Sequence, residues 1–135
     1  TQELAALSAA NAGKPRLRAF IEIGDKPLMT VSRAHLLSEM LARCGGDNVF
    51  ADAPSLVVEP VAEAELARNP ELLLRSASAG AGVPVALASL PAARAGRVFR
   101  FTADTAFRPG PRSLLAAREI CTALDTARAS HSEKK

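Results

Sequence analysis

The chain has 135 residues, 48% of them apolar, with 17 basic against 14 acidic side chains and a formal charge of +3. That is material for one core and one domain. The basic residues are scattered, without a stripe or interleaved aromatics, which excludes a nucleic-acid surface, and the apolar run over residues 83–90 is too short to span a membrane.

In chain order, residues 2–12 are rich in alanine and leucine, carry Leu4 and Leu7 on one helical face, and stop at Asn11-Ala12-Gly13 before Pro15. They read as the end of a helix over 1–12, ahead of a domain over 13–128 and a frayed polar tail over 129–135. No targeting signal is legible. Residues 17–23, closing on Phe20-Ile21-Glu22-Ile23-Gly24, predict a buried strand. A loop over 25–31 follows, and Ser32 is placed to cap a helix over 33–44 that buries Leu37, Met40, Leu41 and Cys44. Gly45 and Gly46 supply the positive φ of a helix C-cap; glycines at that end do not make a phosphate cradle.

A short strand is predicted over 48–50, a loop over 52–58, and a helix over 61–68 with Glu63 and Glu65 in its first turn. Leu72-Leu73-Leu74 marks a buried parallel strand. Residues 76–82 show no assignable order, and residues 83–95 hold a helix broken or begun near Pro91. Arg97-Val98-Phe99-Arg100-Phe101 alternates, with Val98 on one face and Phe99 and Phe101 on the other. After a proline-rich loop over 103–112, Ser113 caps a last helix lined by Leu114, Ala117, Cys121 and Leu124. The alternation predicts an α/β fold: a three-layer, Rossmann-like lobe with a short, mostly parallel sheet flanked by helices.

Catalytic signals are weak. His35, Ser38 and Glu39 are helix neighbours without an oxyanion hole or a fixed third partner, so no enzyme is read and His35 is expected to be solvated. Two separated histidines and two separated cysteines make no metal site, and no cofactor is expected. Cys44 and Cys121 are either two buried thiols or a disulfide of an oxidising compartment.

The order of the motifs carries more. It runs from Phe20-Ile21-Glu22-Ile23-Gly24 through Pro27-Leu28-Met29-Thr30 to a helix ending Cys44-Gly45-Gly46-Asp47-Asn48-Val49-Phe50-Ala51-Asp52. Glu63 then precedes Leu66-Ala67-Arg68-Asn69-Pro70-Glu71, followed by Ala95-Gly96-Arg97-Val98-Phe99 and Arg108-Pro109-Gly110-Pro111-Arg112. This series resembles the C-terminal lobe of the periplasmic cobalamin- and ferric-siderophore-binding proteins of ABC importers, the helical-backbone class III type. The resemblance implies a periplasmic, non-catalytic binding protein for a small corrinoid or metal chelate, working with an ABC permease in the membrane. It implies that the helix over 1–12 is the end of an inter-lobe connection and that an N-terminal lobe, absent from this sequence, supplies the other half of the cleft.

Carried over by position, the cleft side falls to Leu28, Met29, Thr30, Val57, Asp104, Thr105, Phe107 and Arg108. Glu63 matches an acidic residue that docks on permease arginines, where its local reading is a carboxylate on a helix dipole. Pro111 and Arg112 read as structural. The resemblance also implies a bond between Cys44 and Cys121. The chain has no Trp and no Tyr, the rings that grip flat ligands, so a corrin would pack on Met29, Val57 and Phe107, and haem ligation by tyrosine is excluded in this lobe. The alternative function is a stand-alone interaction module in which the same apolar residues pair two copies as a homodimer.

Overall fold

The computed structural model describes residues 2–25, 28–33, 35–55, 57–60, 64, 67–76, 90–101 and 113–133. Its centre is a pair of parallel strands, β1 (Leu17–Glu22) and β6 (Leu72–Ser76), in register from Ala19↔Leu72 to Glu22↔Arg75. Both consist largely of apolar residues that do not alternate with polar ones, because both faces of the sheet are covered. Ala19, Ile21, Leu72 and Leu74 point to one side, and Phe20 and Leu73 to the other, all of them buried. Strands β4 (Gly46–Asn48) and β7 (Val98–Phe101) add in parallel at either side, giving the order β4-β1-β6-β7.

One face carries the larger core. Helices α1 (Gln2–Asn11), α2 (Leu36–Arg43) and α4 (Ser113–Glu133) pack there, with Leu37, Met40, Leu41, Ile120 and Leu124 buried against the strands. Each such fully buried aliphatic side chain stabilises the fold by roughly 2 kcal/mol before entropy is counted. On the opposite face Phe20 meets Phe50 edge to face, with centroids 5.7 Å apart, beside Leu73, Leu90 and Ala92 of the short helix α3 (Pro91–Arg94). These are the three layers of an α/β lobe. The predicted split in β7 also holds: Phe99 and Phe101 pack on the larger core and Val98 on the smaller one.

Cys44 and Cys121 form a disulfide joining the end of α2 to α4 across 77 positions of sequence. Around it, Asn11 at the end of α1 donates from Nδ2 to Leu7 O (2.7 Å) and towards Cys121 Sγ (3.6 Å). Arg128 donates from Nη2 to Cys44 O (2.8 Å) and from Nε to Pro15 O (2.9 Å).

Three local expectations are corrected. Helix α2 starts at Leu36, not at residue 33, and its N-cap is His35, not Ser32: a turn closed by His35 N–H on Ser32 O (3.1 Å) intervenes. Strand β4 occupies Gly46–Asn48, two residues earlier than predicted, because the Asn48 side chain turns the backbone out of the sheet by accepting from Phe50 N–H (2.9 Å). Residues inside the predicted 25–31 loop form a ribbon, in which β2 (Gly24–Asp25), β3 (Leu28–Val31) and β5 (Val57–Val58) pair antiparallel. Strands of two to four residues are too short to show a period in sequence. Helix α4 extends through Glu133. The predictions for 77–89 and 102–112 lie outside the described residues.

Candidate functional site

In an open parallel sheet, ligands sit beyond the carboxyl ends of the strands. Here that edge is formed by Asn48, Glu22, Ser76 and Phe101, the last residues of β4, β1, β6 and β7. The β2-β3-β5 ribbon rises directly from it. Ile23 N–H donates to Met29 O at 2.9 Å, one residue after β1 ends, so the ribbon is anchored at the sheet's rim.

The ribbon brings together sequence-distant candidates. Gly24 pairs with Met29, Thr30 with Val58 and Val31 with Val57, which puts Met29, Val31 and Val57 on one face and Thr30 and Val58 on the other. Met29 and Val57 are half-buried, Val57 leaning on the larger core, whereas Thr30 has no exposed surface. Leu28 opens β3. Glu63, Asp104, Thr105, Phe107 and Arg108 lie outside the described residues.

Three supports beneath this edge have roles that were not read from the sequence. Asn48 donates from Nδ2 to Val31 O (2.7 Å) and Ser38 Oγ (3.3 Å), tying β4, the ribbon and α2 at one point. Glu22 and Arg75, each 2% exposed, form a buried ion pair through Arg75 Nε and Glu22 Oε2. A charge of each sign closing an apolar strand was the signal available for that pair. His35 is the third, and the expectation that it is solvated is corrected: it is 8% exposed, and its Nδ1 accepts from Leu37 N–H at 3.1 Å. That bond requires the proton on Nε2, and burial pushes the imidazole pKa below its ordinary value. A histidine used as a cap acceptor is not poised as a base.

Beyond β4, Arg68 lies over the Phe50 ring (4.5 Å) and donates to Val49 O (2.6 Å) and Asp52 Oδ1 (2.9 Å). The Arg68 hydrogen bond and charge hold the Asp52 carboxyl below the usual carboxylate range. Arg68 thereby fixes the chain leaving β4 to the residues that lead into β6. Among the described residues no three His, Cys, Asp or Glu side chains cluster as metal ligands, and no helix is long and apolar enough to cross a membrane. The edge thus carries the ribbon on a frame braced by Asn48 and by the buried Glu22–Arg75 pair.

No family model matches the chain. The vitamin B12-binding protein of Salmonella typhimurium is 34% identical over 127 residues, 90% of this chain and 46% of that protein. The chain's homologues are vitamin B12-binding proteins. That of Vibrio cholerae serotype O1 is 32% identical over 129 residues, 93% of this chain and 47% of its own length. The crystal structure of the periplasmic vitamin B12 binding protein of Vibrio cholerae superposes with a TM-score of 0.79 at 29% identity, covering 94% of this chain and 51% of that one. A periplasmic heme-binding protein from Roseiflexus shares the fold, with a TM-score of 0.72 at 24% identity. The chain thus spans about half the length of the relatives it matches. These relatives are named as binding proteins.

Proposed function

We propose that this chain is the C-terminal lobe of an extracytoplasmic solute-binding protein that captures a corrinoid or related metal chelate and presents it to an ABC importer. The observation that carries the reading is identity of about one third with vitamin B12-binding proteins along nine-tenths of the chain, coupled to their fold. The Cys44–Cys121 bond supports an oxidising compartment. In this reading Leu28, Met29, Thr30 and Val57 belong to the part of the cleft wall that the β2-β3-β5 ribbon contributes. Asp104, Thr105, Phe107 and Arg108 are assigned to the same ligand, and Glu63 to permease arginines. A second lobe closes over the ligand, and burial between the lobes supplies most of the affinity.

Half a cleft binds weakly. By calorimetry the 135-residue chain is expected to hold cyanocobalamin more loosely than about 10 µM, because an opposing wall is missing. Added at millimolar concentration in an NMR titration, cyanocobalamin should shift Met29 and Val57 resonances, while an equal concentration of a nucleotide leaves them in place. A titration that moves neither residue overturns the assignment of the ribbon to the cleft.

A further inference from the structure

The triplet Leu72-Leu73-Leu74 presents leucine to both faces of the sheet, and β1 beside it offers Ala19, Phe20 and Ile21. Apolar packing of that kind discriminates poorly between the observed register and one slipped along the strand, since leucine replaces leucine on either face. Glu22 and Arg75 do discriminate. They are cross-strand partners at the end of the ladder, each 2% exposed, and bonded through Arg75 Nε and Glu22 Oε2. Any slip would leave two buried charges apart. Packed apolar side chains in their place would avoid the desolvation of both groups, so stability alone does not account for the pair, whereas fixing a register does.

We propose that Glu22 and Arg75 are a register lock that positions the binding edge. The residue after Glu22 is Ile23, whose N–H holds the ribbon carrying Met29, and the residue after Arg75 is the buried Ser76, whose carbonyl accepts from Arg100 Nη1 (3.4 Å). The lock therefore sets where two segments leave the sheet relative to each other. That the positioned edge is a ligand edge rests on the function proposed above. The lock itself does not.

The test pairs one broken lock with one apolar replacement. Glu22→Ala, which strands the guanidinium, should lower the thermal midpoint by roughly 10 °C or more. The double variant Glu22→Leu with Arg75→Met should recover the midpoint to within a few degrees. In it, exchange of the Ile23 amide should still run at least about tenfold faster than in the parent, with more than one set of β1–β6 cross-strand NOEs. A double variant with parental Ile23 protection and one register overturns the lock. If the apolar pair does not fold, the swapped pair Glu22→Arg with Arg75→Glu decides: restored Ile23 protection supports the lock, and unrestored protection overturns it. These readouts need no ligand, so a parent chain that ignores cyanocobalamin counts against the proposed function alone.

Discussion

Gly45 sits where a helix end, a strand entry and an arginine converge. Its φ is +90°, and a Cβ there would overlap Nη2 of Arg128, the atom that donates to Cys44 O. Gly45→Ala is expected to cost about 2 kcal/mol, part left-handed strain and part displaced hydrogen bond. Gly13, at φ +83°, has open space around its Cβ position, so Gly13→Ala should lose only the strain, about 1 kcal/mol. Urea unfolding of the two variants checks this, and equal losses would remove Arg128 from the account. Cys44 and Gly45 were legible in sequence because helix ends are punctuated by local chemistry. Glu22, Arg75 and Asn48 were not: whether a charge or an amide at a strand end finds a partner depends on which strands become neighbours, and spacing along the chain does not contain that.

Among the elements, α2 shows what a cap contributes. With His35 neutral, Nδ1 accepts from Leu37 N–H; once protonated, it donates instead and sets a positive charge at the positive end of the helix. The folded-state pKa is depressed, so the unfolded chain takes up the proton first. The stability that His35 contributes is complete above its ordinary value of 6.5 and is lost as pH falls from there towards the folded-state pKa. His35→Asn, which keeps a cap acceptor without a titrating group, should match the parent within about 0.5 kcal/mol at pH 8 and exceed it at pH 5. Parallel stability curves for the two proteins between those pH values would refute the cap's titration. The strand-helix alternation, β7 and the buried face of α2 were all readable, since each repeats a period over several residues. The ribbon and the true start of α2 were not, because Thr30 and Val31 pair with Val57–Val58, remote in sequence, the strands are too short to show a period, and Ser32 loses the cap to an intervening turn.

At the scale of the whole lobe, the disulfide closes a loop spanning 77 positions, so it restricts the unfolded chain more than the folded one. Its reduction should lower unfolding stability by about 4 kcal/mol, seen as a lower urea midpoint in reductant at constant pH. An unchanged midpoint would mean that the reduced chain already holds these segments together when unfolded. The three-layer architecture was legible as a whole, and so was the likeness to a binding-protein lobe, because both rest on the order of many weak signals rather than on any single one. How far each cleft candidate is exposed was not, as the complete burial of Thr30 illustrates.

Arg128 gives the disulfide a kinetic side as well. Its guanidinium clasps Pro15 O and Cys44 O from the helix that also bears Cys121, so the two half-cystines share a frame that does not depend on the bond between them. A folded molecule that has lost the bond keeps its thiols facing one another, so once oxidised glutathione has formed a mixed disulfide with one thiolate and released one reduced glutathione, the facing thiolate displaces the second glutathione in a unimolecular step. Re-formation in native reduced protein should then be independent of protein concentration, and slower in Arg128→Met.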